Sequence, residues 1–144
     1  MIPPLELSRK IHLGYRTAQK QVCKTYKIPE TALDILLFLA NNPEYTSARD
    51  IVEVRSLKAN LVSIHVDRLV RDGYLTRSEV PGDRRKHALA LTEKAAPIVE
   101  AGRIMQADFF EKMFRGISGQ ERERCFATLE KIGKNMDAYM KGND

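Results

Sequence analysis

"VPGDRRKHALALTEK", residues 80–94, sets Pro81-Gly82-Asp83 between two runs of strand character and follows them with Thr92-Glu93, a helix-start signal. Proline at the second turn position and glycine at the third suit a type II turn, so residues 74–80 and 86–91 are expected to be two strands joined by Pro81-Gly82-Asp83. His87, Leu89 and Leu91 alternate and fall on one face of the second strand. Arg84 and Arg85 then stand at the tip of a hairpin, where no core needs them.

Upstream the period changes from two to that of a helix. From Leu5 onward Ile11, Tyr15, Ala18, Val22 and Tyr26 recur at three- and four-residue steps, an amphipathic helix that Pro29 stops. Residues 30–41 are so apolar that a helix there is buried on most sides, and Asn41-Asn42-Pro43 ends it. Thr46 or Ser47 is expected to cap a short third helix, and Ser56 a fourth running to Gly73, whose lack of a Cβ suits the left-handed residue after a helix.

Downstream, Thr92 is expected to open a helix to Phe114, with Pro97 removing a hydrogen bond or bending its first turns. Ser118 and Glu121 form a capping box. Behind it Phe126, Leu129, Ile132, Met136 and Met140 lay a narrow apolar stripe on a final helix.

Four helices, a hairpin and two helices make a mainly α chain with the connectivity of a winged helix-turn-helix in residues 29–97. The flanking residues 1–28 and 98–144 cannot bury their apolar stripes on so small a centre. A helical dimerisation region, formed with a second copy of the chain, removes that exposure.

Composition narrows the partners. The 144 residues carry 24 Lys and Arg against 19 Asp and Glu, a net charge of +5 and a pI near 9.3. Between Arg68 and Lys94 seven bases face four acids, a clustering that rewards contact with a polyanion through counterion release. The longest apolar run, residues 35–40, is far short of the roughly 18 residues of a membrane span, so no membrane partner is expected. The first residues have neither a basic n-region nor an apolar h-region, and Cys23 and Cys125 fit a reducing compartment, so the expected location is cytoplasmic. His12, His65 and His87 are scattered without partners at ligand spacing, and there is no nucleophile–base pair, phosphate loop or dinucleotide fingerprint. Neither a metal, a cofactor nor catalysis is expected.

On a helical wheel Val62, Val66 and Leu69 of the fourth helix share one side, with Asn60, Ser63, Ile64, Asp67 and Arg71 opposite. A helix laid in a major groove needs that division. Asn60 suits adenine, Ser63 a base or phosphate, Lys58 a phosphate near the helix start and Ile64 a thymine methyl. The same face, taken alone, also fits a solvated surface. Arg84 and Arg85 suit a minor groove, where A·T-rich stretches concentrate negative potential. Asp83 beside them suits a carboxylate orienting one guanidinium, while Arg77 and Lys86 add charge to the same hairpin.

Residues 66–95 resemble the signature of MarR-type regulators, in Asp67-Arg68-Leu69, Gly73-Tyr74-Leu75, Asp83-Arg84-Arg85 and Leu89-Ala90-Leu91-Thr92. Length, helix order and the last capping box also match, so the resemblance covers nearly the whole chain. It implies a homodimer with intertwined first and last helices, two winged domains on a palindromic operator of double-stranded DNA, and repression until a small-molecule effector or an oxidant intervenes. It also places the effector pocket between the dimerisation helices and the winged domain, at His12, Tyr15, Arg16 and Phe38, residues that equally fit plain packing. Ala95 stands where the family usually has glycine, and Ile64 and His65 depart from the usual recognition helix, so base preference does not transfer. For an oxidant sensor, Lys20 and Lys24 would lower the Cys23 pKa, but Cys23 and Cys125 better fit packing in or near the core. The alternative from another class is a dimeric winged-helix adaptor that binds protein and has no specific DNA affinity.

Overall fold

The structure is a computed structural model that describes residues 3–142, with backbone but not side chains at residues 84–86. It has six helices and one hairpin among the described residues: α1 (Pro4–Tyr26), α2 (Glu30–Asn41), α3 (Ala48–Arg55), α4 (Ala59–Arg71), β1 (Leu75–Val80), β2 (Asp83–Leu91), α5 (Ala96–Met113) and α6 (Gly119–Met140). The chain divides into two compact units, Met1–Phe109 and Phe110–Asp144.

The core of the first unit is built on α2, in which Ala32, Leu33, Ile35, Leu36, Leu37, Phe38 and Leu39 are all buried. So continuous an apolar run leaves no wet face, and neighbours cover it on several sides: Val22 of α1, Ile51 of α3, Val62, Val66 and Leu69 of α4, Leu75 and Leu89 of the hairpin, and Ile98 of α5. At Gly102 of α5 the approach is so close that a Cβ would lie 2.6 Å from Leu37 Cδ2. One buried polar side chain crosses this layer: Gln19 Nε2 of α1 donates to Asp34 Oδ1 of α2 at 2.7 Å. Beside it Arg16 pairs with Glu30 at 2.7 Å, so two polar links tie α1 to α2.

Chain ends of the helices follow local chemistry. Ser47 caps α3 with a full capping box, its hydroxyl taking the Asp50 N–H while the Asp50 carboxylate takes the Ser47 N–H. Ser56 does not cap α4. It sits at φ 53° as the left-handed residue that closes α3, a conformation that an N-cap cannot use, and α4 begins after Lys58 with no side-chain cap. Gly73, at φ 83°, takes the left-handed place expected of it.

The hairpin is antiparallel, with Leu75 opposite Leu91 and Arg77 opposite Leu89. Its turn is shorter than expected, because Asp83 already pairs with Val80 and only Pro81 and Gly82 connect the strands, Gly82 at φ 84°. The register slips between Glu79, opposite His87, and Val80, opposite Asp83. The base of the hairpin is pinned twice, to the segments just before α3 and just after α4. Leu89 N–H donates to the Thr46 carbonyl at 2.7 Å, and the Thr92 hydroxyl donates to the Gly73 carbonyl at 2.6 Å. Thr92 is therefore occupied in tying the hairpin to the end of α4 and does not cap the helix that follows. Residues 93–95 form a 3-10 turn, which places Pro97 at the second position of α5, where a helix has no use for its N–H.

In the second unit Ser118 and Glu121 form the expected capping box at the start of α6. The backbone N–H of Ser118 on the Glu121 carboxylate holds that group below its ordinary pKa. Phe114 is buried, with Phe126 at 5.2 Å and the Arg122 guanidinium at 4.8 Å from its ring. The rest of the α6 stripe is open: Leu129, Ile132, Met136 and Met140 are about half exposed or more, and Cys125 is exposed. Among the described residues no helix is long and apolar enough to cross a membrane, and no three His, Cys, Asp or Glu side chains gather as a metal site.

Candidate nucleic-acid interface

The core fixes which way α4 points. Val62, Val66 and Leu69 are buried, which leaves Asn60, Ser63, Ile64, Asp67 and Arg71 exposed on the other side, with Lys58 exposed at the helix start. The first turn of α4 carries no acid, so the partial positive charge of its backbone N–H groups is uncompensated and adds to Lys58. Asn60 Oδ1 takes the Leu61 N–H at 2.9 Å, which leaves the amide hydrogens as donors.

Arg77 decides how the hairpin stands against this face. Alternation along β1 puts it on the same side as the buried Leu75 and opposite the buried Leu89, so its side chain runs towards α4. There Arg77 Nη2 donates to Asp67 Oδ1 at 2.6 Å. Asp67 is the sole acid in the α4 sequence, and this pairing offsets the one charge on the outward face that would repel phosphate. The pair lines a cleft of about 480 Å³ between α3, α4 and the hairpin, with Ser47, Arg49, Ser63, Asp83 and His87 around it. Arg49 is held by Glu53 one turn on, at 2.8 Å, a hydrogen bond that also raises its pKa.

Among the sequence-derived residues, Lys58, Asn60, Ser63, Ile64 and Arg71 thus share one exposed face, and Arg77 joins it as a paired cation. Asp83 lines the cleft from the first position of β2. The side chains of Arg84, Arg85 and Lys86 lie outside the described residues. Lys94, counted with the basic cluster, does other work: its ammonium lies 4.5 Å from the centre of the Tyr74 ring and donates to the Asp72 carbonyl at the end of α4. What the sequence did not reveal is Asp67 as the anchor of Arg77. The signal was there in the strand period, which sends Arg77 inward, but its use required knowing which helix lay beneath.

The residues considered for an effector are distributed over separate contacts. Tyr15 meets Phe109 edge-on at 5.4 Å and accepts a hydrogen bond from Gln106 Nε2 at 2.9 Å, and burial pushes its hydroxyl pKa up. The same Gln106 accepts from Asn41, whose Oδ1 accepts from Arg103, a polar chain joining α1, α2 and α5. Phe38 stacks on Tyr45 at 5.5 Å, Arg16 is engaged with Glu30, and His12 is exposed. Burial raises the Cys23 thiol pKa, and Glu30 and Asp34 add to the effect, the opposite of what an oxidant sensor would use.

The MarR family profile matches residues 26–86, from the end of α1 into β2. Over that stretch the chain resembles the MarR family. The chain is 22% identical over 108 residues to the HTH-type transcriptional regulator BilQ of Clostridium symbiosum, covering 75% of this chain and 74% of that protein. It is similar in fold to the reduced form of MarR from E. coli, with a TM-score of 0.73, 19% identity and coverage of 92% of this chain and 97% of that one. The S. aureus MepR–DNA complex is similar too, with a TM-score of 0.79, 20% identity and coverage of 94% and 99%. At those identities the two solved structures establish the winged helix-turn-helix fold, with the helices on either side of it. The family is one of transcriptional regulators and not of enzymes.

Proposed function

We propose that this chain is a homodimeric, DNA-binding transcriptional regulator, a repressor that a small-molecule effector releases. The observation that carries the reading is the Asp67–Arg77 pair, which docks the hairpin beside the exposed face of α4 and neutralises that face's one acid. In this reading α4 enters a major groove, with Asn60, Ser63 and Ile64 at base edges and Lys58 and Arg71 at phosphates. The wing carries Arg84, Arg85 and Lys86 to the neighbouring minor groove, with Asp83 as orienting carboxylate. Residues 29–97 are the DNA-binding region. Support for the DNA partner comes from the fold, since a structure similar to this chain was solved as a MepR–DNA complex.

Residues 1–28 and 98–144 form the dimerisation region. Each of the two compact units exposes large apolar side chains: Leu5, Leu7, Ile11 and Leu13 around α1, and Leu129, Ile132, Met136 and Met140 in one stripe on α6. Exposed apolar surface of that extent on these two helices favours a second copy as the cover. The effector acts where α1 and α2 carry His12, Tyr15, Arg16 and Phe38, of which Arg16 reaches from the dimerisation region to Glu30 of the winged region.

Selection of bound sequences from a random duplex pool tests the proposal. The expected result is an enriched palindrome with half-sites about one helical turn, ~10 base pairs, apart. Sequence-blind binding, or none, favours the protein-binding adaptor and overturns it.

A further inference from the structure

Ile64 is 63% exposed in the middle of α4, while Val62, Val66 and Leu69 already supply the helix's share of the core. It lies on neither α1 nor α6, the helices whose exposed apolar side chains are assigned above to a second copy. Apart from Leu61, itself 36% exposed, its surroundings are polar and basic: Asn60 one turn before, Ser63 beside it, Asp67 neutralised by Arg77, and Arg71 two turns on. An aliphatic side chain there has no donor or acceptor with which to read a phosphate or a base edge. In a major groove the one apolar feature that a base pair offers is the C5 methyl of thymine. A β-branched side chain in a helix is nearly confined to one rotamer and therefore presents its methyl groups at a fixed place. The cationic surroundings, Lys58 and Arg71 with an unopposed helix start, suit duplex DNA as the occupant better than an apolar protein surface.

We infer that Ile64 reads the C5 methyl of a thymine in each operator half-site and so sets part of the sequence preference. This rests on the DNA-binding reading above and deepens it.

The experiment uses the full chain and a duplex enriched from a random pool, with each thymine of the half-sites replaced in turn by deoxyuridine, which lacks only that methyl. Binding is followed by fluorescence anisotropy at fixed salt for the native chain, Ile64→Ala and Ile64→Val. Loss of one buried methyl contact corresponds to about fourfold per half-site. The expected result is one thymine per half-site at which deoxyuridine weakens the native chain by about that factor, leaves Ile64→Ala unaffected and costs Ile64→Val an intermediate amount. Because Ile64 is exposed, the variants are expected to melt with the native chain, and circular dichroism checks this. Sequence-selective binding in which the native chain and Ile64→Ala show the same deoxyuridine profile overturns the assignment of Ile64 alone. Failure of the pool to enrich any sequence overturns the DNA-binding reading and this inference together.

Discussion

Arg77 on β1 and Asp67 on α4 meet at 2.6 Å and so fix the hairpin to the helix that faces outward beside it. Both side chains keep a third to a half of their surface in solvent, so the pair contributes only about 0–1 kcal/mol to folding. Its consequence lies in the charge presented to a phosphate backbone. Arg77→Ala should leave the melting temperature nearly unchanged yet weaken duplex binding by about tenfold or more, since it strips a cation and exposes an acid. Adding Asp67→Ala to it should recover part of that loss. A double-mutant cycle on affinity and on thermal stability checks both outcomes.

Asp34 gives the fold a pH dependence of defined sign. Burial raises its carboxyl above the ordinary value, against the opposing hydrogen bond from Gln19 and the nearby Arg55 and His12 charges, while Glu30 adds to the rise. An acid with a raised folded pKa holds its proton more tightly folded than unfolded. Its stabilising contribution is therefore present below the ordinary carboxylate pKa of about 4 and is lost as pH rises through the raised value. Asp34→Asn keeps an oxygen for Gln19 and removes the titration. Denaturant melts across that range should show the native chain losing stability relative to the variant as pH increases; parallel curves would remove Asp34 as the cause.

The contact of α5 on α2 is close at Gly102. A Cβ at Gly102 would lie 2.6 Å and 2.9 Å from the two Leu37 methyl carbons, so the buried Leu37 side chain would have to shift to admit it. Gly102→Ala should cost about 1–3 kcal/mol through this overpacking, against the small gain expected from replacing glycine in a helix. Chemical denaturation measures it, and pairing the change with Leu37→Val should restore part of the loss.

The apolar face of α6 gives the dimer its test. Leu129 and Ile132 are 53% and 50% exposed, and in a symmetric interface each substitution is felt twice. Leu129→Glu with Ile132→Glu should raise the dimer dissociation constant by more than about a hundredfold, read by sedimentation equilibrium. An unchanged mass would place the interface elsewhere.

Most of the elements could be read in the sequence because their signals are local. The 3.6-residue spacing of α1, the unbroken apolar run of α2 and the capping box at Ser118 depend on residues within a turn or two of each other. Ser47 could be read as a cap for the same reason, although its partner Asp50 was not singled out. Ser56 misled because a serine before a helix looks like a cap whether or not its backbone can be one, and the left-handed closure of α3 is not written in its side chain. Thr92 misled similarly, since its hydroxyl is claimed by Gly73, a residue distant in sequence. The division of α4 into buried and exposed faces followed from the wheel. The pairing of Asp67 with Arg77 did not, because it depends on the hairpin's register and on which helix the hairpin packs against, both products of the tertiary fold.

The salt dependence of affinity for a selected duplex tests the central claim most directly. Each neutralised phosphate contributes about 0.9 to the slope of log affinity against log salt. The native chain should show a steep negative slope, and Arg84→Ala with Arg85→Ala should reduce it by about 2 per chain while weakening binding. A shallow slope in the native chain, or one that those substitutions leave unchanged, would contradict the account.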